Sequence, residues 1–204
     1  MKSYPSVSKN VIHTQIYAFD KLDGSNIRAE WKRKGKTGFY KFGSRNQLIS
    51  DEQPFLTEAP ELIREKYEEE LSRIFTKERY DEATVFFEFH GPNSFAGTHQ
   101  KEQHTVTMFD VAPLRKGILY PADYLKLFGH LDIAKLLYRG NPTHDFTDSV
   151  LEGKLEGMTF EGVVCKAPNG CTPQPIMFKI KSNAWFSKLL DYCKGNAAMF
   201  ARLA

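Results

Sequence analysis

The sequence is poor in cysteine and lacks the apolar runs and ligand spacings that define several large protein classes. Its three cysteines, Cys165, Cys171 and Cys193, are odd in number and have no paired spacing, which favours reduced thiols over a disulfide framework. No apolar run approaches the length of a membrane span. The first residues lack the apolar core of a signal peptide, so a cytoplasmic location is expected.

Common metal and phosphate motifs are also missing. The six histidines form no His-x-x-x-His pair, which argues against a zinc site. The chain contains neither a Gly-x-x-x-x-Gly-Lys-Ser/Thr run nor a Gly-x-Gly-x-x-Gly run, which argues against a P-loop or a dinucleotide-binding fold. The net charge of +3 is compatible with a basic face for nucleic acid without requiring one.

Alternation of apolar and polar residues predicts antiparallel strands without a regular βαβ succession. Ile27, Ala29 and Trp31, for example, alternate with polar neighbours. Helical spacing of apolar residues predicts a helix over residues 58–75, and shorter helices are predicted at 121–129 and 184–192. Strands are predicted at 15–19, 26–32, 39–44, 85–89, 105–111, 136–138, 159–165 and 175–180. The pattern indicates an α+β fold of antiparallel sheets with flanking helices, in one domain over residues 1–204.

One lysine is placed where its amine could project into a cleft. Lys21 follows a predicted strand and precedes the turn-forming pair Asp23-Gly24. A lysine is a nucleophile only when neutral, and desolvation or neighbouring cations lower its pKa. The run Lys21-Leu22-Asp23-Gly24 is short, however, and a turn after a surface strand would show the same residues.

Three further segments place chemically useful side chains beside predicted strands. Arg45 follows the strand at 39–44. Glu88 lies within an apolar strand, where an unpaired charge would be costly. Phe109 lies in a strand from which its ring could lie against a base.

Two later segments complete the series. Glu161 precedes Gly162, and glycine allows a ligand to approach the backbone closely. Lys179 and Lys181 lie on one face of a predicted strand because side chains alternate there. The chain therefore carries, in order, one isolated lysine, two glutamates and a lysine pair.

This ordered set resembles the covalent nucleotidyltransferase superfamily of DNA ligases, RNA ligases and mRNA capping enzymes, over nearly the whole chain. The residues that match its motifs are Lys21 to Gly24, Arg45, Glu88, Phe109, Glu161 to Val164, Lys179 and Lys181. The resemblance is greatest to RNA ligases, because DNA ligases usually carry arginine where Asn26 stands. It implies an ATP-grasp-like nucleotidyltransferase fold, the adenylation domain of a ligase.

The resemblance implies an ATP-dependent RNA ligase with a covalent lysyl-AMP intermediate. Lys21 would take AMP from ATP and pass it to a 5′-phosphate end, which is then sealed to a 3′-hydroxyl. Lys179 and Lys181 would hold the α-phosphate and, by like-charge repulsion, help to keep Lys21 neutral. Glu161 is expected to bind Mg²⁺ (or Mn²⁺), through water.

The resemblance also implies contacts to the nucleotide. Glu88 is expected to hold the ribose hydroxyls, and Phe109 to stack on the adenine. Asp20 is expected to read the adenine edge. The remaining expected nucleotide-binding residues are Asp23, Gly24, Asn26 and Arg45, with Asn26 and Arg45 on ribose or phosphate.

The expected partner is a polynucleotide with 5′-phosphate and 3′-hydroxyl ends, RNA in preference to DNA, in RNA repair, with no membrane partner. The chain ends soon after Lys181, so no OB-fold or other accessory domain is expected within it, and a partner protein could supply one. Three alternatives stay open: a minimal ATP-dependent DNA ligase, a GTP-using guanylyltransferase of the capping type, and a non-catalytic nucleotide- or RNA-binding module.

Overall fold

A computed structural model describes residues 3–35, 37–50, 56–92, 94–95, 101–170 and 174–203; Cys171 lies outside them. The described chain forms two four-stranded antiparallel sheets. The strands are β1 (Ile16–Asp20), β2 (Ser25–Lys32), β3 (Gly38–Ser44), β4 (Glu82–His90), β5 (Thr105–Pro113), β6 (Leu136–Gly140), β7 (Gly162–Lys166) and β8 (Met177–Lys181). The first sheet has the order β6-β1-β7-β8 and the second β3-β2-β4-β5, so the predicted α+β class is confirmed.

Five helices flank these sheets in the described part of the chain. They are α1 (Ala59–Lys77), α2 (Pro121–Phe128), α3 (His144–Leu151), α4 (Asn183–Cys193) and α5 (Ala197–Leu203). The predicted helices correspond to α1, α2 and α4, whereas α3 and α5 were not predicted. The signal for α3 is local, since the Thr143 side chain caps it by accepting from the Phe146 backbone N–H. No helix in the described ranges has the length and apolar character that a membrane span requires.

The larger core lies between the second sheet and α1. Ile63, Tyr67 and Leu71 recur at helical spacing and are almost completely buried, as the sequence predicts. They pack in one cluster with Trp31 of β2 and Phe87 of β4. Fully burying such side chains contributes roughly 1.5–3 kcal/mol each, which anchors the sheet against the helix.

The strand β1 is buried on both faces. Tyr17 and Phe19 point into the larger core, while Ile16 and Ala18 join a smaller core with α3. This double burial explains why the strand reads as an apolar run instead of a clean alternation.

The connection between β1 and β2 carries the chain from the first sheet to the second. It begins at Lys21, whose backbone N–H donates to the Gly162 carbonyl at 2.9 Å. At Gly24 a Cβ atom would lie 2.3 Å from the Phe89 carbonyl oxygen, so only glycine fits against β4. The crossover therefore places Lys21 at the junction of the two sheets.

One predicted strand boundary is wrong at its start. The strand expected at 159–165 begins at Gly162. Gly162 has a φ of +136°, and a Cβ atom there would lie 2.0 Å from the Ile180 carbonyl oxygen. The backbone thus turns sharply at Gly162 in close contact with β8, and Glu161 lies just before the strand.

Candidate active site

A cavity of about 690 Å³ opens where the two sheets and the N-terminal segment meet. Residues from β1, β7 and β8 line one side, and residues from β2, β4 and β5 line the other. The predicted site residues that line it are Asp20, Lys21, Gly24, Asn26, Arg45, Glu88, Phe109, Lys179 and Lys181. Asp23 and Glu161 are buried, each 5% exposed, and lie outside the lining.

A single carboxylate joins two of the predicted catalytic lysines. Lys21 Nζ donates to Glu161 Oε2 at 2.8 Å, and Lys181 Nζ lies 3.2 Å from Glu161 Oε1. The side chain of Lys21 is 24% exposed, whereas those of Glu161 and Lys181 are each 6% exposed. Lys21 is thus the most exposed member of this group, and Glu161 holds its amine in place.

The strand pairing explains why these residues converge. The antiparallel partner of Gly162 is Lys181, and that of Val164 is Lys179. The backbone N–H of Ser182 donates to the Glu161 carbonyl at 2.9 Å. The tight pairing of β7 with β8 therefore sets Glu161 beside Lys181, and leaves Lys179 on the same face two residues earlier.

The charges around Lys21 act against its neutral form. Burial has the largest influence and lowers the pKa of Lys21, but attraction by Glu161, Glu88 and Asp23 outweighs it, so the pKa is raised. This differs from the expectation that Lys179 and Lys181 keep Lys21 neutral. The Glu161 carboxylate lies 2.8 Å from the amine, and attraction at that distance is strong.

The other two lysines show the opposite shift. Burial lowers the pKa of Lys181 to about 8, and repulsion by Lys179 and Lys21 acts in the same direction against the attraction of Glu161. Burial likewise lowers the pKa of Lys179, assisted by repulsion from Lys21. The three cations therefore form a crowded group that an anionic ligand would relieve.

Glu88 lies on β4 opposite Asn26 of β2. Burial, with smaller contributions from Glu161 and Asp23, raises its pKa to about 8 against the lowering effect of Lys21. At neutral pH the Glu88 carboxyl is therefore largely protonated and is able to donate a hydrogen bond. Its neighbour Asn26 has a buried Oδ1 atom without a hydrogen-bond partner, which suits a contact to a ligand.

Phe109 is half-buried and lines the cavity. On β4 the residues Phe86 and Phe87 pair with Asp110 and Met108, so Phe109 is the extra residue of a β-bulge. Such bulges re-aim side chains beside active sites. The Phe109 ring is stacked on that of Phe86 at 6.2 Å between centroids and contacts Tyr4 edge-on at 5.1 Å.

Asp20 and Arg45 occupy different depths of the site. Asp20 is 4% exposed, and its Oδ1 accepts from the Thr159 backbone N–H at 3.0 Å. Arg45 is exposed and follows β3, where Ser44 and Gln47 close a turn. Asp20 is therefore fixed at the base of the cavity, whereas Arg45 lies at its rim.

The structure adds three residues that the sequence did not identify. Lys166 Nζ donates to Asp110 Oδ1 at 2.6 Å and to the Phe109 carbonyl at 3.1 Å. The hydroxyl of Tyr4 donates to the other oxygen of Asp110 at 2.5 Å. Lys166 and Asp110 are 2% and 0% exposed, so this ion pair clamps β7 of one sheet to β5 of the other. The sequence did carry a signal for this pair, because each of two apolar strands contains a charged residue, and a buried charge requires a partner.

The carboxylates of this site suit a divalent cation such as Mg²⁺, which takes most of its ligands from water and phosphate, better than a metal whose ligands all come from the protein. Within the described ranges, no three His, Cys, Asp or Glu side chains are close enough to hold a metal together. Glu161, Glu88 and Asp23 nevertheless surround Lys21 closely enough to shift its pKa. Mg²⁺ commonly uses one or two carboxylates and takes its other ligands from water and phosphate.

Comparison with known proteins places this geometry in a family. The family model for RNA ligase matches residues 14–181, which include every predicted site residue. A search of curated proteins found no match.

Three solved structures, all of RNA ligase from Naegleria gruberi, share the fold at low sequence identity. A mutant with ATP and Mn has a TM-score of 0.67 at 15% identity over 91% of this chain and 58% of that chain. A second mutant with ATP and Mn has a TM-score of 0.62 at 16% identity over 89% of this chain and 52% of that chain. The ligase with PPi has a TM-score of 0.63 at 17% identity over 87% of this chain and 52% of that chain. The chain spans somewhat more than half the length of these ligases. Since the family model covers most of the sequence, the chain belongs to the RNA ligase family.

Proposed function

We propose that the protein is an ATP-dependent RNA ligase that forms lysyl-AMP on Lys21. The observation that carries the proposal is the Lys21–Glu161–Lys181 arrangement, which presents one amine to a cavity between two sheets. The Naegleria ligase structures with ATP and Mn support ATP as the nucleotide and a divalent metal as its companion.

In the first step the Lys21 amine attacks the α-phosphorus of ATP. Its ammonium first loses one proton to solvent, and the freed lone pair forms an N–P bond; the nitrogen then loses a second proton to solvent, which leaves a neutral phosphoramidate nitrogen. The bond from the α-phosphorus to the bridging oxygen breaks, and pyrophosphate leaves with that electron pair. Phosphorus chemistry of this kind depends on positioning and on fixed cations, and Lys179 and Lys181 supply those cations beside Lys21.

The ion pair between Lys21 and Glu161 must open before this attack, because Glu161 raises the pKa of Lys21. Glu161 would hold Mg²⁺ or Mn²⁺ through water, and the positive charge of the metal would screen the triphosphate and offset the carboxylate beside Lys21. The pKa of Lys181 is about 8. Near neutral pH its amine is therefore mostly protonated and binds an anionic phosphate.

The nucleoside contacts follow from burial and protonation. Glu88 is largely protonated near neutral pH, so we assign it to the ribose hydroxyls as a hydrogen-bond donor and acceptor. Phe109 offers its ring to the adenine, and Asp20 is assigned to the adenine edge. Asn26 and Arg45 complete the ribose and phosphate contacts.

In the later steps AMP passes from Lys21 to the 5′-phosphate of a strand, and a 3′-hydroxyl then displaces AMP to form the phosphodiester. RNA is the proposed strand because the chain belongs to the RNA ligase family. A role in RNA repair, a cytoplasmic location, a single-domain organisation and a partner that supplies an accessory module remain predictions from the sequence.

Covalent labelling tests the first step. The protein is incubated with α-labelled ATP or GTP and Mg²⁺ and then run on a denaturing gel. We expect a labelled band from ATP that disappears in Lys21→Ala and persists in Lys154→Ala, an exposed lysine outside the cavity. A band that persists in Lys21→Ala overturns the nucleophile assignment. Label from GTP alone indicates a capping-type activity, and no label from either nucleotide indicates a non-catalytic module.

Sealing is tested separately from labelling. Nicked duplexes with RNA or DNA at the 3′-hydroxyl side are offered to the labelled protein. We expect faster sealing with RNA, because a protein can distinguish the two through the 2′-hydroxyl. Equal or faster sealing with DNA favours a minimal DNA ligase.

A further inference from the structure

A row of aromatic rings leads from Lys181 to the protein surface. The Lys181 ammonium lies 3.3 Å from the centroid of the Trp185 ring. Trp185 contacts Phe95 at 5.7 Å between centroids, and Phe95 contacts Tyr192 at 5.3 Å. We refer to Trp185, Phe95 and Tyr192 as the aromatic row.

The outer half of the row is exposed. Trp185 is 6% exposed, whereas Phe95 and Tyr192 are 40% and 56% exposed. A cavity of about 510 Å³ lies beside the outer rings and is lined by Phe95, Lys188, Asp191 and Tyr192. Exposed aromatic side chains that adjoin one another in this way mark interaction sites more often than isolated apolar residues do.

The start of α4 ties this row to the active site. Ser182 caps the helix by accepting from the Trp185 backbone N–H at 3.1 Å, and its hydroxyl donates to the Phe160 carbonyl at 2.7 Å. Lys181 is the residue before this cap and shares Glu161 with Lys21. The helix therefore projects from the phosphate-binding lysines, and a chain of side-chain contacts joins the nucleophile to Tyr192.

We infer that the aromatic row binds a single-stranded segment of the RNA substrate and directs its end toward Lys21; this inference rests on the proposed function. Every base has a π-face, so exposed aromatic rings bind single strands without strong sequence preference. A cationic side chain accompanies the rings, since Lys188 lines the same cavity and lies 5.8 Å from the Phe160 ring centroid.

The continuity with Lys181 favours RNA over a protein partner as the occupant. A strand whose terminal phosphate lies at Lys179 and Lys181 must leave the cavity along a neighbouring surface. The aromatic row begins at Lys181 and offers base-sized rings and a lysine along that course.

The test compares RNA binding by matched variants. A short fluorescein-labelled single-stranded RNA with a 5′-phosphate is titrated with each protein, and fluorescence anisotropy gives its dissociation constant. We expect Tyr192→Ala to weaken binding about 5- to 150-fold, the range for the loss of one base stack, and Tyr192→Phe to retain it. Leu190→Ala is the control, because Leu190 is 55% exposed and lies about 200° around α4 from Tyr192.

Lys21-dependent labelling by ATP is measured on the same samples and is expected to be unchanged in Tyr192→Ala. If unmodified protein labels with ATP while Tyr192→Ala binds RNA as tightly as the unmodified protein does, the inference fails and the proposed function stands. If unmodified protein forms no adduct, the proposed function fails instead. Self-association that Tyr192→Ala abolishes, with RNA affinity unaffected, would identify the row as a contact between copies and overturn the inference.

Discussion

The ion pair between Lys21 and Glu161 leads to a quantitative prediction about the pKa of Lys21, the proposed nucleophile. Replacing Glu161 by glutamine keeps the size of the side chain and one acceptor oxygen but removes its charge. At the observed 2.8 Å the Coulomb attraction is about 1.5 kcal/mol in a water-like medium and about 6 kcal/mol at an effective dielectric constant near 20. These limits correspond to about 1 and 4 units of pKa.

In Glu161→Gln the influences that lower the pKa of Lys21 keep acting with less opposition. Burial remains, and the cations of Lys179 and Lys181 remain nearby, while Glu88 and Asp23 still attract the ammonium. We therefore expect the pKa of Lys21 to fall by at least about one unit.

The pKa can be measured without any nucleotide. Lysines are reductively methylated with ¹³C-formaldehyde, and the methyl resonance of Lys21, assigned with Lys21→Arg, is followed against pH. Glu156→Gln is the control, since Glu156 is exposed and lies outside the cavity. If the pKa of Lys21 stays high in Glu161→Gln, the reasoning is refuted, because Glu161 would not be the group that retains the proton.

Two further predictions concern stability. Between about pH 4.5 and 8 folded Glu88 retains a proton that the unfolded chain has lost, so rising pH lowers the free energy of unfolding. Glu88→Gln removes this dependence. Urea unfolding at pH 5 and pH 8 should therefore show that the free energy of unfolding of Glu88→Gln, relative to that of the unmodified protein, is higher at pH 8 than at pH 5 by roughly 1–3 kcal/mol. An identical pH dependence in both proteins contradicts the assignment. Lys166→Met leaves the Asp110 carboxylate buried without its cation and should lower the free energy of unfolding by about 3–5 kcal/mol. Adding Asp110→Asn should recover part of that loss of stability. If the two substitutions instead change the free energy of unfolding additively, the Lys166–Asp110 ion pair does not clamp the sheets together.

Much of the fold was predictable because its signals are local. The alternation in β2 and the helical spacing of Ile63, Tyr67 and Leu71 reflect side chains that each face one core. The first turn of α3 carried an equally local signal at Thr143, but the short helix was missed because its buried apolar positions, Phe146 and Val150, are little more than one turn apart.

The clamp between the sheets was not predictable. Lys166 and Asp110 are 56 residues apart in sequence, and Tyr4 and Asp110 are 106 apart. No short-range pattern specifies which buried charge meets which. Only the packing of β7 beside β5 brings the three side chains together.

The sequence by itself determined the order of the site residues from Lys21 to Lys181, and with it the family and the class of chemistry to be tested. The tertiary structure decided the electrostatics of that site. It placed the Glu161 carboxylate 2.8 Å from the Lys21 amine, with Glu88 and Asp23 nearby, so the pKa of the proposed nucleophile is raised. The physical reason is that motif order states which charges are present, whereas a pKa depends on their distances and their burial, which only the packing of the two sheets sets.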